Sequence, residues 1–290
     1  MDFSNTLSGV GNSVMNVRKQ AGLEDVMGED GMPYCKVCGE PLKLKLDIKG
    51  PMVESLGAIR YVPRNCSCML MKFAEEDAWR REQKRADEIK QQRMNNLKSG
   101  KYRDTTFDMD DGRSPAIRKT CECYVDKHKE MIKNNLGMAF LGSNGGGKTF
   151  WASCIANGLI EAGATVYMST LTKIIHEMNA NFSENRDAME RKIRTVDFLI
   201  LDDYGAERGT EFSLEQAFEV IDTRYNAGKP LIITANLTEE ILKNPPSINH
   251  ARSYSRIVEM CPALIKVTGE RRKEIATEKR KLLIDLMVEA

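Results

Sequence analysis

Gly142-Ser143-Asn144-Gly145-Gly146-Gly147-Lys148-Thr149 is the stretch of this 290-residue sequence that decides its fold. It matches the pattern G-x-x-x-x-G-K-[ST], with an apolar run before it and a helical segment after it. Glycines let such a loop turn tightly so that its backbone N–H groups face a phosphate, and the following helix adds its positive dipole end. The stretch therefore predicts a phosphate-binding loop, with Lys148 on the β- and γ-phosphates of a nucleotide and Thr149 on Mg²⁺.

Segments with strand character alternate with helical segments on both sides of this loop. The expected strands are Met138–Leu141, Thr165–Ser169, Phe198–Leu201, Pro230–Ala235 and Leu264–Val267, and the expected helices include Lys148–Ala162 and Ser213–Ala227. Such alternation predicts an α/β fold, with a parallel sheet covered by helices on both faces.

Polar residues follow two of the expected strands. Asp202 and Asp203 follow an apolar run, at the strand end where ligands lie in open α/β sheets. We expect Asp202 to hold Mg²⁺ and Asp203 to polarise the attacking water. Many such ATPases have glutamate at the second position, and the shorter aspartate favours slow turnover. Asn236, with Thr234 as the second choice, is expected to contact the γ-phosphate or the water.

The composition limits the classes of function. The formal net charge is only +1, so contact with nucleic acid requires a local patch. No apolar run reaches 18 residues, and the N-terminus lacks an apolar signal core, which predicts a cytoplasmic protein. The eight cysteines are then expected to be reduced.

Four of the cysteines form two close pairs before the phosphate loop: Cys35 with Cys38, and Cys66 with Cys68. Four thiolates spaced in this way can surround Zn²⁺ tetrahedrally, and no histidine lies nearby. A bound Zn²⁺ would compensate for a core that is too small to fold alone. Cys154 and Cys261 are expected in the core, and Cys121 and Cys123 have no evident partner pair.

These features divide the chain into three parts. Residues 1–71 are expected to form a small zinc-binding domain, whose first 31 residues are interpreted as a mobile arm or a loosely packed helix. Residues 72–100 contain a charged segment without glycine or proline up to Ser99, which predicts a helical linker or a solvated helix without a partner. Residues 101–290 are expected to form the ATPase domain.

Several separated motifs resemble one family. Ile221–Thr238, with Lys229-Pro230-Leu231-Ile232-Ile233-Thr234-Ala235-Asn236 at its centre, resembles a signature of the DnaC/DnaI-type helicase loaders and the IstB-like ATPases. Asp202–Glu207 and Lys101–Phe107 resemble the acidic motif and the leading segment of the same family. The resemblance covers about residues 97–275. It implies an AAA+ P-loop ATPase that self-associates and places a replicative DnaB-type helicase ring on single-stranded DNA.

The resemblance also implies roles for arginines. In such assemblies ATP lies between subunits, and an arginine of the neighbour reaches the γ-phosphate. That position falls on Arg256, with Arg252 one helical turn earlier. A second arginine follows the last strand, and Arg272 is favoured over its neighbour Arg271. The cysteine layout resembles that of the DnaI-like loaders, in which an N-terminal zinc module grips the helicase.

The family likeness further suggests where DNA would bind. Basic residues on the backbone and aromatic faces on the bases are the usual contacts with single strands. The corresponding regions of this chain contain Lys173, Phe182, Arg208 and Phe212, although an ordinary core role is equally open for each phenylalanine. The basic tail from Arg271 to Lys281 is a further region that could contact phosphate or remain solvated.

Together these features predict an ATP-dependent helicase loader of bacterial or phage origin that acts in DNA replication initiation as part of a primosome. ATP, Mg²⁺ and Zn²⁺ are the expected cofactors. Two alternatives stay open. One is an IstB-like transposition helper, against which the four cysteines argue. The other is a nucleotide-switched adaptor with little turnover, which the short Asp203 allows.

Overall fold

A computed structural model describes residue 18 and residues 22–45, 61–179, 184–205 and 211–288 of the chain. The chain divides into two compact units, Met1–Ala86 and Asp87–Ala290. Within the described residues, no helix is both long enough and apolar enough to cross a lipid bilayer. The division into a zinc-binding domain, a linker and an ATPase domain stays a prediction.

The smaller unit contains two short antiparallel hairpins. Strand β1 (Asp25–Met27) pairs with β2 (Pro33–Cys35), and β3 (Lys43–Lys45) pairs with β4 (Tyr61–Pro63). The unit also contains a small cluster of buried residues: Leu23, Cys35, Leu42, Cys66 and Met69. Strand β1 corrects the interpretation of residues 1–31 as an arm or a loose helix, because backbone pairing with β2 fixes this part of the segment.

Helix α1 (Ser67–Asn96) is 30 residues long and begins between Cys66 and Cys68. Its sequence has no glycine or proline, most of its residues are exposed, and many are charged, as the sequence predicts for a helix in this region. The helix starts five residues earlier than the charge pattern suggests. The boundary between the two compact units falls within it, after Ala86.

The larger unit is an α/β layer structure. Its strands are β5 (Met138–Leu141), β6 (Val166–Thr170), β7 (Phe198–Tyr204), β8 (Leu231–Ala235) and β9 (Ala263–Lys266). Its helices are α2 (Gly100–Asp104), α3 (Pro115–Asp126), α4 (His128–Lys133), α5 (Lys148–Glu161), α6 (Leu171–Asn179), α7 (Glu184–Thr195), α8 (Glu211–Asn226), α9 (Glu239–Lys243), α10 (Ile248–Met260) and α11 (Arg271–Val288).

The five strands form one parallel sheet in the order β6-β7-β8-β5-β9. Successive residues of each strand face opposite sides, so the sheet separates two apolar clusters. Leu199 and Leu201 belong to one cluster, whereas Phe198 and Ile200 belong to the other. Burial on both faces explains why the strands are continuous apolar runs.

Strand β7 continues past the acidic pair instead of ending before it. Its pairing with β8 shifts register between Leu201 and Tyr204, and Asp203 within this bulge has a φ of 55°. The sequence places the two acids after the strand, and the structure corrects this placement. A β-bulge turns one side chain out of the ladder and is common beside functional sites. The buried Asp202 and the exposed Asp203 therefore face different surroundings.

Candidate functional site

The glycine loop connects β5 to α5 and has little room for side chains. At Gly142, with a φ of 141°, an added Cβ would lie 2.2 Å from the carbonyl oxygen of Val267. Gly147, with a φ of 104°, is the residue that precedes the first turn of α5. Only glycine adopts these positive φ values without strain, so the local sequence shapes the loop. Its backbone encloses the N-terminus of a 14-residue helix, where anions bind favourably.

Lys148 is buried at the start of α5. Its Nζ donates hydrogen bonds to the carbonyl oxygens of Gly142 and Ser143, at 2.9 and 2.8 Å, and to Oδ1 of Asn236 at 2.7 Å. Burial lowers the pKa of Lys148, although the carboxylates of Asp203 and Asp202 oppose the shift. The lysine is thus held across the loop by three oxygen acceptors that a phosphate could replace.

The carboxylate of Asp202 is surrounded by hydroxyl donors. Its Oδ1 accepts from the hydroxyls of Thr149 at 2.9 Å and Thr234 at 2.6 Å. Its Oδ2 accepts from the hydroxyl of Tyr102 at 2.8 Å. The aspartate is only 3% exposed. A carboxylate beside the hydroxyl of the loop threonine is an oxygen ligand set that suits Mg²⁺.

Asp203 lies next to this cluster with its side chain exposed to solvent. Its backbone N–H donates to the Thr234 hydroxyl at 2.9 Å, which fixes the bulge to β8. Partial burial, and then the neighbouring Asp202, raise the pKa of the Asp203 carboxyl above its usual range. Asp203 is therefore an accessible carboxylate with increased proton affinity, and its role in polarising water stays a prediction.

The two polar residues predicted at the tip of β8 have different positions. Asn236 is exposed and contacts Lys148, whereas Thr234 is buried and contacts Asp202. Asn236 is thus the residue that faces the space next to the loop. The sequence-based preference for Asn236 as the contact with the γ-phosphate fits this geometry, and its role stays a prediction.

The arginine pair at the start of α11 divides between two environments. The backbone N–H of Arg272 donates to the carbonyl oxygen of Gly145 at 3.3 Å, so this residue adjoins the glycine loop. Arg271 instead pairs with Asp111 at 3.2 Å, and its guanidinium stacks on Phe150. Of the two arginines, Arg272 is the one whose backbone contacts the glycine loop, and its contact with a nucleotide bound by the same chain stays a prediction.

Arg256 lies on α10, outside the cluster around the loop. Its guanidinium pairs with Asp222 of α8 at 2.6 Å and lies 4.5 Å from the centre of the Phe218 ring. Arg252 stacks on the same ring at 5.0 Å. The contacts described for Arg256 do not join it to the loop of its own chain. The role of Arg256 at the site of a neighbouring copy stays a prediction.

The predicted DNA contacts are spread along the chain. Lys173 on α6 is exposed, and its Nζ donates to the carbonyl oxygen of Lys98 at 3.3 Å. Phe212, in the first turn of α8, is 61% exposed, which excludes an ordinary core role. Phe182 and Arg208 lie outside the described residues. The role of all four in DNA binding stays a prediction.

Sequence reasoning missed three residues that organise the larger unit. Tyr102 donates to Asp202, and Asn157 of α5 donates to the carbonyl oxygens of Tyr102 and Thr105 at 2.6 and 2.8 Å. Arg224 is fully buried and donates only to backbone carbonyls, those of Ile193, Val196, Asp197 and Pro230. A charged side chain within the apolar face of α8 is the signal that could have identified Arg224.

The four paired cysteines converge in the smaller unit. The Sγ atoms of Cys35, Cys38, Cys66 and Cys68 all lie within 4.8 Å of one another. With Zn–S bonds of about 2.3 Å, tetrahedral thiolates stand roughly 3.8 Å apart, so the spacing is compatible with Zn²⁺. The fully buried Arg18 donates hydrogen bonds to the Cys66 sulfur at 3.1 Å and to the carboxylate of Asp25. Hydrogen bonds from outside the ligand set orient metal ligands in proteins. Cys154 and Cys261 are buried in the larger unit, as predicted.

The parallel sheet carries a glycine phosphate loop after β5 and a carboxylate cluster on β7, two strands away in the sheet. This arrangement defines a P-loop nucleotide-binding fold. The sequence profile described as IstB-like ATP binding protein matches residues 66–243, which is more than half of the chain. The chain belongs to this family, and its site is consistent with ATPase activity.

Named relatives include characterised and uncharacterised proteins. The chain is 31% identical over 173 residues to the uncharacterized protein YqaM of Bacillus subtilis. This match covers 56% of this chain and 53% of YqaM. It is 24% identical over 132 residues to the replicative helicase loader DnaC of Buchnera aphidicola. This match covers 44% of this chain and 52% of that DnaC. The chain spans about half the length of the curated relatives it matches.

Two solved structures also match this chain, both at low identity and with TM-scores below 0.5. The crystal structure of the DnaC helicase loader matches with 22% identity and a TM-score of 0.48, over 59% of this chain and 100% of that chain. The crystal structure of DnaI matches with 22% identity and a TM-score of 0.47, over 60% of this chain and 93% of that chain.

Proposed function

We propose that this protein is an ATP-dependent helicase loader that delivers a DnaB-type replicative helicase onto single-stranded DNA in the bacterial or phage-infected cytoplasm. The ATPase activity is supported by one observation, which is that the phosphate loop contacts the polar ends of β7 and β8. Lys148 contacts Asn236, and Thr149 contacts Asp202, the neighbour of Asp203. The loader part is supported by the Cys₄ cluster in the N-terminal part of a chain with an IstB-like ATPase unit, and by relatives named as replicative helicase loaders.

ATP binding would use the backbone of residues 142–147 and the amino group of Lys148 for the phosphates. Mg²⁺, held through Thr149 and Asp202, would neutralise charge on the phosphate oxygens. Asp203 would orient the attacking water, and Asn236 would hold the water or the γ-phosphate. Arg272 would contact the phosphates from the same chain. Catalysis of this kind depends on positioning and charge stabilisation rather than on a covalent intermediate.

Arg256 would complete the site of an adjacent copy. A guanidinium is always charged and presents several donors, which suits the developing charge on the transferred phosphoryl group. To reach that group, Arg256 would exchange its contact with Asp222 for one with the neighbour's nucleotide. ATP would thus favour self-association, and hydrolysis would release the assembly.

The domain roles follow the order of the chain. Residues 1–71 would contact the helicase, and Zn²⁺ bound by Cys35, Cys38, Cys66 and Cys68 would stabilise this domain. Residues 101–290 would bind ATP, DNA and other copies of the protein. Residues 72–100 would link the two. Lys173, Phe182, Arg208 and Phe212 would contact single-stranded DNA, with the exposed Phe212 ring as a platform on which a base can stack.

The test is a loading assay with a DnaB-type helicase on a forked duplex whose single strand is coated by a single-stranded-DNA-binding protein. We expect this protein with ATP to increase the unwinding rate at least tenfold, and Lys148→Ala to give no increase. Lys119→Ala, a change on α3, is the control and should match the unaltered protein.

The alternatives predict other results. Stimulation of unwinding by Lys148→Ala equal to that by the unaltered protein would show that bound nucleotide is not needed and would support a passive adaptor. ATP-dependent stimulation without measurable ATP turnover, with or without single-stranded DNA, would support a nucleotide-switched adaptor. No stimulation with helicases of several plausible hosts would contradict the loader. Binding to a transposase in place of a helicase would then favour a transposition helper.

A further inference from the structure

The Asp202 carboxylate accepts a hydrogen bond from a residue that lies outside the phosphate loop and the strands β7 and β8. Thr149 and Thr234 both donate to its Oδ1, so Oδ2 depends on the hydroxyl of Tyr102 at 2.8 Å. Tyr102 lies 100 residues earlier in the chain and is 6% exposed. Among the described residues, its hydroxyl is the one side-chain donor that the structure gives to Oδ2.

The segment that carries Tyr102 is fastened to the sheet and to α5. The backbone N–H of Lys98 donates to the carbonyl oxygen of Met168 at the edge of the sheet, at 3.0 Å. Asn157 donates to the carbonyl oxygen of Tyr102 itself at 2.6 Å. These contacts hold the tyrosine from both sides, so its hydroxyl has a fixed place beside the carboxylate.

We propose that Tyr102 is a positioning residue that orients the Asp202 carboxylate and thereby sets the Mg²⁺ requirement of nucleotide binding. The inference rests on the proposed ATPase site. With Oδ2 fixed by Tyr102, Oδ1 stays directed at the Thr149 hydroxyl. Without the Tyr102 hydroxyl, the buried Oδ2 of Asp202 lacks this hydrogen bond. The carboxylate would then rotate to find other donors, which would move Oδ1 away from Thr149.

The effect of the hydroxyl can be separated from the effect of the ring. The Tyr102 ring packs in the same apolar cluster as Tyr124, which is also buried. The Tyr124 hydroxyl, however, donates to the carbonyl oxygen of Leu136 at 2.6 Å and has no contact with Asp202. Tyr102→Phe and Tyr124→Phe therefore remove similar buried hydrogen bonds, of which only one involves the carboxylate.

The experiment measures the affinity of a fluorescent ATP analogue while Mg²⁺ is titrated, for the unaltered protein and both variants. In EDTA we expect all three to bind equally within about twofold. The Mg²⁺ concentration for half-maximal enhancement should rise about tenfold in Tyr102→Phe, because a hydrogen bond to a charged group is lost, and should not change in Tyr124→Phe. Thermal unfolding without nucleotide reports the structural cost of each change.

Three outcomes would overturn this inference. An unchanged Mg²⁺ titration in Tyr102→Phe overturns it even if the variant unfolds at a lower temperature, because the role is then structural. A rise of the same size in Tyr124→Phe has the same meaning. If Tyr102→Phe weakens the affinity for the ATP analogue as much in EDTA as in Mg²⁺, the Tyr102 hydroxyl acts on the nucleotide itself. If the unaltered protein shows no Mg²⁺-dependent binding, the proposed function fails as well, which distinguishes the two failures.

Discussion

The amino group of Lys148 lies 2.7 Å from Oδ1 of Asn236, a residue 88 positions later in the chain. This contact joins the phosphate loop to the tip of β8 and places an amide next to the group expected to bind the terminal phosphates. Lys148 also has two carbonyl acceptors in the loop, so it has oxygen partners to exchange for phosphate when a nucleotide binds.

Replacement of Asn236 by alanine should reduce hydrolysis much more than binding. We expect ATP turnover to fall about tenfold or more, because a donor near the transferred group is lost, and the affinity for ATP to change less than about threefold. Steady-state turnover and equilibrium binding give the two quantities. Asn244→Ala, an exposed position after α9, is the control. A loss that appears wholly in affinity would contradict the assigned role.

Asp203→Asn should make the nucleotide-free protein more stable at neutral pH and nearly inactive. The raised pKa means that the fold disfavours the ionised carboxyl of Asp203, and this unfavourable contribution disappears as the pH falls through the raised value. The melting temperature of the variant should therefore exceed that of the unaltered protein at pH 7, and the two should converge in acid. Turnover should fall by about 10² or more.

Asp202→Asn provides the contrast, because this residue accepts three hydrogen bonds and an amide group would oppose one of its donors. Its melting temperature should fall at pH 7. Equal effects of the two changes on stability would contradict the different environments assigned to the two acids.

Arg256→Ala should reduce turnover by about 10³, because an arginine that reaches the phosphoryl group from a neighbour contributes on that scale. Mixed with Lys148→Ala, it should recover activity, since some sites would combine an intact loop with an intact arginine. The guanidinium of Arg252 stacks on the same Phe218 ring, and Arg252→Ala should lose far less turnover. Turnover of the mixture that equals the sum of its components would exclude a shared site.

Purified protein should contain about one Zn²⁺ per chain, and Cys35→Ser should lose it. Loss of Zn²⁺ should unfold the smaller unit while nucleotide binding by the larger unit persists. Elemental analysis measures the metal, and circular dichroism with nucleotide binding measures the two units. Cys123→Ser, at an exposed cysteine outside the cluster, should keep the metal. A full complement of Zn²⁺ in Cys35→Ser would refute the Cys₄ centre.

Arg224→Met should lower the free energy of unfolding by about 3–5 kcal/mol, because four backbone carbonyls lose a buried charged donor. Urea denaturation of the larger unit checks this value. Arg252→Met on the surface of α10 should change stability by less than about 1 kcal/mol. A similar small effect at Arg224 would show that water replaces the arginine as donor.

The sequence was informative where one local motif determines local geometry. The glycine loop requires positive φ values, and apolar runs require burial on both faces of a sheet, so β5, α5 and the order of elements are predictable. The paired spacing of Cys35, Cys38, Cys66 and Cys68 likewise predicted the cluster that the structure contains. Element ends differ from the prediction by a few residues, and the bulge at Asp203 was missed because it depends on pairing with β8.

Contacts between distant segments could not be predicted. Tyr102 lies in a short polar segment in which a tyrosine suggests only an amphipathic surface, and its partner is 100 residues away. Arg224 donates hydrogen bonds to backbone carbonyls near the end of α7 and before β8. Arg18 donates to the sulfur of Cys66, 48 residues later in the chain. Such partners are set by tertiary packing, which periodicity does not encode.

The most direct test of the helicase-loader proposal is size-exclusion chromatography of the full chain with a DnaB-type helicase from a plausible host, in ATP and in ADP. The variant in which Cys35 and Cys38 are both serine and the control Cys123→Ser are run in parallel. The account predicts co-elution in ATP for the unaltered protein and the control, and loss of co-elution in the zinc-site variant. Separate elution of the unaltered protein and every helicase tested would contradict it.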